Sequence, residues 1–108
     1  MSTELCAVVV LAFEPAWLAL SRPERGEWAA RVGSITARHP DVKLTWFDAD
    51  ALGSGYTDFV LCHFRELRDY HFLWEELRDT ELFSHPYVRI VNVILGIERG
   101  YEAYEHRA

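Results

Sequence analysis

Lysine is almost missing from this chain. Ten of its eleven basic residues are Arg, spread from Arg22 to Arg107 rather than gathered, and the formal charge is −6. Binding a phosphate backbone needs a concentrated basic patch, so nucleic acid is not an expected partner. Polyanionic membrane surfaces are excluded on the same ground. Cysteine is nearly as scarce. Cys6 and Cys62 are the only two, and Glu4 interrupts the N-terminus where a cationic leader would need an apolar run. Two reduced, buried thiols in a cytoplasmic protein are therefore expected. The longest apolar run, CAVVVLAF, has about eight residues against the roughly 20 that span a bilayer. Gly53-Ser54-Gly55 lacks the Lys and the following helix of a phosphate loop. His39, His71, His85 and His106 show no ligand spacing, and adjacent Cys62 and His63 point to opposite faces of a strand. No metal and no cofactor is expected.

What the chain does hold is apolar and aromatic. Half of the 108 residues are apolar and a quarter charged, with four Trp, five Tyr and six Phe. That composition belongs to a globular protein, and the length to a single domain over residues 1–108. The aromatic stock can fill a core, line a pocket or build an interface.

The order of elements is readable. LCAVVVLAF is short and β-branched, the mark of a buried strand. Ser21 with Glu24 three places on, and Pro23 in the first turn, form a capping box that opens a helix. Trp28, Val32 and Ile35 make its buried stripe, and His39-Pro40 ends it. Strands follow over 42–49 and 57–65, joined by a glycine-bearing loop. A second helix opens near Asp69 as N-cap, with Tyr70, Leu73, Trp74 and Leu77 on one face. YVRIVNVIL is a fourth strand, and the polar end of the chain suits a short helix. The alternation is β-α-β-β-α-β, an α+β ferredoxin-like arrangement with a four-stranded antiparallel sheet and both helices on one face. An apolar face opposite the helices cannot stay uncovered, and a homodimer through that open face is the expected solution.

Pairing Asp50 with Thr57 sets Trp46 against Leu61, Asp48 against Phe59 and Leu44 against His63. These six then share the open face. Ile90, Asn92 and Ile94 join them from the last strand. That face would combine Trp46, Phe59 and Leu61 with Asp48, His63 and Asn92, an apolar surface with a few polar fixtures of the kind small molecules occupy.

FEPAWLAL, HPDVKLTWFDAD, TDFVLCHF, LWEELRDTELF and YVRIVNVILGIERGY together resemble the darcynin-like proteins, from about residue 8 to 101. The most specific pieces are Trp17-Leu18, Trp46-Phe47-Asp48, Thr57-Asp58 and Leu-Arg-x-Thr at 77–80. The resemblance implies a small bacterial protein built as a dimeric α+β barrel. This chain departs from the pattern at Leu61-Cys62-His63-Phe64, where the family's third strand is richer in aromatics. It departs again at Leu82-Phe83, where a Phe-Trp is usual.

Each candidate has a plainer role beside the chemical one. Asp48 is either an acid or orienting carboxylate, or a strand-end group accepting backbone N–H, with Asp50 a solvated loop residue. His63 is either a general base or a structural side chain. It lies roughly 13 Å along the sheet from Asp48, too far for a dyad. Asn92 is placed to support an oxyanion. Trp17, Trp28 and Trp74 read as core and cap residues, and Arg89 as the partner of a carboxylate. The functional expectation is a cofactor-independent cyclase, isomerase or monooxygenase acting by proton transfer on an apolar, aromatic or polyketide-like molecule. His63, Asp48 and Asn92 would be catalytic, and Trp46, Phe59 and Leu61 would shape the cavity. The alternative is a dimeric binding module without chemistry.

Overall fold

A computed structural model describes residues 4–107. Strand β1 (Leu5–Phe13) leads through the single turn α1 (Pro15–Leu18) into helix α2 (Arg22–Ala37). The hairpin β2 (Lys43–Asp48) and β3 (Asp58–Phe64) follows, then α3 (Leu67–Arg78), the short α4 (Glu81–Ser84), β4 (Val88–Ile97) and α5 (Gly100–Glu105). The long elements keep the β-α-β-β-α-β order, with three short helices inserted. Both halves of the capping box at Ser21 and Glu24 form, each side chain bonding the other residue's N–H. α3 starts two residues before Asp69, with Glu66 in the N-cap position.

All four strands are antiparallel in the order β2-β3-β1-β4. Here the expectation of a dimeric α+β barrel is corrected. β2 and β4 are free edges, the sheet is open, and the structure is a single chain. Its core lies between the sheet and the helices, where Ala7, Val9 and Leu11 of β1 and Val60, Cys62 and Phe64 of β3 meet Leu73, Trp74 and Leu77 of α3. Period-two alternation sends the other side chains of β1 and β3 to the opposite, uncovered face.

The hairpin register also differs from the sequence reading. Trp46 pairs with Val60, Asp48 with Asp58 and Leu44 with Cys62, one residue away from the expected partners. The turn closes at Ala49, whose N–H donates to the Thr57 carbonyl at 2.8 Å, and not at Asp50. Gly53 makes the tight loop feasible, since a Cβ there would sit 2.5 Å from the Tyr56 ring. A slip of one residue exchanges every side chain between faces. Leu44, Trp46 and Asp48 therefore lie on the helix side, and Lys43, Thr45 and Phe47 on the open side.

On β4, Val10 pairs with Asn92 while Leu11 pairs with Ile90, which leaves Val91 as the extra residue of a bulge. The bulge switches parity. Asn92 and Ile94 remain on the open face, but Ile90 packs against the core. Both cysteines are free thiols; Cys62 is buried and Cys6 only half-buried. No helix among the described residues is long and apolar enough to cross a membrane.

Candidate functional site

A cleft of about 350 Å³ opens between α2 and the β2 side of the sheet. Its walls are Phe13, Trp17, Trp28, Val32, Trp46 and Leu82. The cleft exists because α2 presents Ala29 and Gly33, one turn apart, where larger side chains would fill the space. A Cβ added at Gly33 would meet nothing within 4 Å. α2 packs chiefly against α3 and stands off the sheet above Trp46, which stays 46% exposed although it is on the helix side.

The aromatic walls are held from behind. Phe13 and Trp17 lie 4.9 Å apart, and Tyr87 meets both Trp17 and Trp28 at about 6 Å. His85 stacks on the far side of Tyr87 at 4.1 Å. The Arg31 guanidinium covers the Trp28 ring at 4.1 Å, which orients that indole at the helix surface. Thr36, the one polar side chain of the lining, spends its hydroxyl on the Gly33 carbonyl at 3.0 Å. The chamber is therefore almost wholly apolar.

Phe13 and Trp17 also line a second hollow of about 310 Å³, together with Asp48, Asp50, Thr57 and Asp58. The register brings these acids together, because Asp48 and Asp58 are direct cross-strand partners. Asp48 also accepts the Asp50 N–H at 3.2 Å. Thr57 is fixed by accepting the Phe13 N–H at 2.9 Å. Burial raises the Asp58 carboxyl above its ordinary range; the Thr57 hydroxyl opposes this, and the charges of Asp48 and Asp50 add to the rise. An apolar aromatic chamber thus shares two of its walls with a hollow that holds a carboxyl group of heightened proton affinity.

The structure divides the residues expected from sequence between two faces. Trp46 and Asp48 belong to this cleft. Phe59, Leu61, His63 and Asn92 lie on the open side of the sheet, across from them. There Phe59 stacks on Phe47 at 4.8 Å, and His63 stands between Lys43 and Cys6 in the strand register. Asn92 turns its amide oxygen onto the Val93 N–H at 2.9 Å. Trp74 is core, its buried indole N–H lacking a full hydrogen bond beside the soft Cys62 sulfur. Burial pushes the Cys62 thiol up to about 12, so it is inert as a nucleophile. Arg89 pairs with Glu14 at 2.9 Å. Phe13, Gly33 and Asp58 were not among the expected site residues, and Trp17 and Trp28 read as structural. The legible signal was the Ala29/Gly33 spacing beside Trp28; the placing of Asp58 opposite Asp48 follows from the hairpin register, which the sequence did not mark.

Taken together, the open antiparallel sheet, the helices on one face and the cleft between them define an α+β protein. The fold matches a chlorite dismutase double mutant from Candidatus Nitrospira defluvii with a TM-score of 0.78 at 14% identity, over 90% of this chain and 40% of that one. The same enzyme in complex with imidazole gives 0.79 at 14% identity, over 89% and 40%. The chain spans about two fifths of the length of those structures, and at this identity the likeness is one of fold. The chain belongs to the darcynin family, described as a domain of unknown function, whose pattern matches residues 1–108. It is 35% identical to Darcynin 1 of Acinetobacter baumannii over 82% of this chain and 99% of that protein. It is 32% identical to Darcynin of Chromobacterium violaceum over 66% and 90%.

Proposed function

We propose that the protein is a cofactor-independent enzyme that moves a proton on an apolar aromatic small molecule bound in the α2–β2 cleft. The observation that carries this reading is an aromatic chamber that shares its Phe13 and Trp17 walls with a hollow lined by a carboxyl pair, one member of which has a raised proton affinity. The ring lies against Trp46 among Trp17, Trp28 and Phe13. Asp58 takes a proton from an acidified C–H at the end of the ring system and returns it to another position. The net change is an isomerisation, or a ring closure when the carbanion attacks within the molecule. Burial keeps the Asp58 proton affinity high, and the charge of Asp48 adds to it. The chamber volume lies at the lower end of small-molecule sites, and a raised carboxyl pKa makes Asp58 a stronger base than an ordinary aspartate. His63 and Asn92, on the other face, are outside this reading.

The test uses 2-tetralone, an apolar ketone whose C1–H bonds exchange through an enolate. In D₂O the protein is expected to bind it saturably, followed by tryptophan emission, and to speed C1 exchange measured by NMR. Asp58→Asn should keep binding and lose the exchange by about a hundredfold. Gly33→Leu should lose binding while keeping or gaining thermal stability, since Leu is about 0.8 kcal/mol better than Gly inside a helix. Binding without exchange would make the protein a binding module. Binding that survives Gly33→Leu would place the ligand elsewhere.

A second feature has its own support. We propose that a second copy covers the open face, two sheets stacking there without closing either one. The accessible surface is 7325 Å², against about 6,200 Å² for a compact monomer of this mass. The excess of about 1,100 Å² is more than the roughly 800 Å² that one partner contributes to a standard interface. Val8, Val10, Phe47, Phe59, Leu61 and Ile94 supply an uncharged surface for it. Sedimentation at micromolar concentration should show a dimer, and Ile94→Asp a monomer, with Leu52→Asp in the distant loop unchanged. A monomer in the unsubstituted protein would overturn this.

A further inference from the structure

The aromatic chamber offers a bound molecule very little to hydrogen-bond. Of the side chains in its walls, only those of Trp17, Trp28, Trp46 and Thr36 carry a polar atom, and an indole N–H can only donate. The Thr36 oxygen is therefore the one side-chain acceptor in the lining. Its own proton is committed, because the hydroxyl donates to the Gly33 carbonyl at 3.0 Å. What the oxygen presents is lone pairs alone, a pattern that recognises a donor and not another acceptor. The same bond fixes where the oxygen lies, over the stretch of α2 between Gly33 and Thr36, both of which line the cleft. Space is open beside it, since a Cβ on Gly33 would touch nothing within 4 Å. Trp28 belongs to the aromatic cluster of Phe13, Trp17 and Tyr87, and Thr36 follows it about two helical turns further along α2. The acceptor thus stands away from Phe13 and Trp17, the two walls that the carboxyl hollow shares.

We propose that the cleft selects a hydroxyaryl ketone, its phenolic O–H donating to Thr36 Oγ1 and its ketone end turned towards Asp58. This rests on the reading of the cleft as the site of a proton-transfer enzyme, and adds the polar group by which the ring is recognised. The ketone keeps the neighbouring C–H acidic, so one molecule satisfies both ends of the chamber. A phenol buried among apolar walls gives up its bond to water, and Thr36 is the side chain that replaces it. An aryl ether or a carboxylate has only acceptors to set against an oxygen whose proton is already used. Thr36 is a specificity residue, which sets the end of the molecule that enters against α2.

Three tetralones that share the ketone and differ at the far end separate these cases by calorimetry on the full chain: 6-hydroxy-2-tetralone, 6-methoxy-2-tetralone and 2-tetralone. The hydroxy compound is expected to bind about fivefold more tightly than 2-tetralone, the worth of one net hydrogen bond, and the methoxy compound no better than 2-tetralone. Thr36→Val keeps the shape of the wall and removes the oxygen. It should erase the advantage of the hydroxyl and leave 2-tetralone affinity in place, while Thr36→Ser should retain the advantage. Equal affinities for the hydroxy compound and 2-tetralone in the unsubstituted protein would overturn the hydroxyl assignment and leave the cleft standing. An advantage that survives Thr36→Val would put the acceptor elsewhere and overturn the proposal. Weaker binding of all three by Thr36→Val, in equal measure and with Tm unchanged, would reduce Thr36 to a piece of wall and overturn it too. Absence of saturable binding by any of the three in the unsubstituted protein would overturn the reading of the cleft itself.

Discussion

Asp58 is the residue in which fold and chemistry conflict most openly. It is placed opposite Asp48, half-buried, with Asp50 close by. Its carboxyl has an ordinary pKa of about 3.9 in the unfolded chain, and folding raises it. Between those two values the native state holds a proton that the unfolded chain has released. Stability therefore falls as pH rises through that window, and the deficit is complete above the folded-state value. Asp58→Asn should raise Tm at pH 7, and the gain should shrink to nothing by about pH 3. Thermal unfolding at the two pH values measures it; a lower Tm for Asp58→Asn at pH 7 would mean that the carboxylate stabilises the fold. Other buried polar groups behave differently. Burial drives Tyr70 up to about 12, and its ring stacks on Phe64 at 4.6 Å, a core role with no proton to offer near neutrality.

At the scale of elements, most of the fold was legible. The β-branched run of β1, the capping box of α2 and the Leu73, Trp74 and Leu77 stripe of α3 each carry a local cause that tertiary packing did not override. The register of the hairpin was not legible, because it turns on whether Ala49 or Asp50 closes the loop. Inside the loop Tyr56 packs over Gly53, a contact that alternation along the strands does not mark. One residue decided the face of Trp46 and Asp48, and so split a single expected site into two. The bulge at Val91 was invisible for a similar reason: every residue from Val88 to Val91 except Arg89 is apolar, so alternation had nothing to mark the change of parity. α2 was read as a helix with one buried stripe, yet only Ile35 of it is fully buried. Its small residues, Ala29 and Gly33, fit a helix held away from the sheet, and that gap is the cleft. A close-packed helix would want larger side chains there.

The whole molecule is more extended than its length requires. Its radius of gyration is 15.7 Å, against about 13 Å for a compact chain of this size. The far half of β4 contributes to this: Ile94, Leu95 and Ile97 are each more than half exposed. The open face and the cleft lie on opposite sides of one sheet, so association through the first leaves the second accessible. On the proposed reading the sheet keeps assembly and ligand binding apart, and of the residues at 46–48 and 57–58, Trp46, Asp48 and Asp58 lie on the cleft side. The most direct measurement uses the four tryptophans as reporters, by following their indole N–H resonances in ¹⁵N-labelled protein as 2-tetralone is added. The account predicts that the Trp17, Trp28 and Trp46 signals move together and saturate, while the core Trp74 signal stays in place. Shifts confined to the His63 and Asn92 backbone amides, with all four indoles unmoved, would put the ligand on the open face and contradict it.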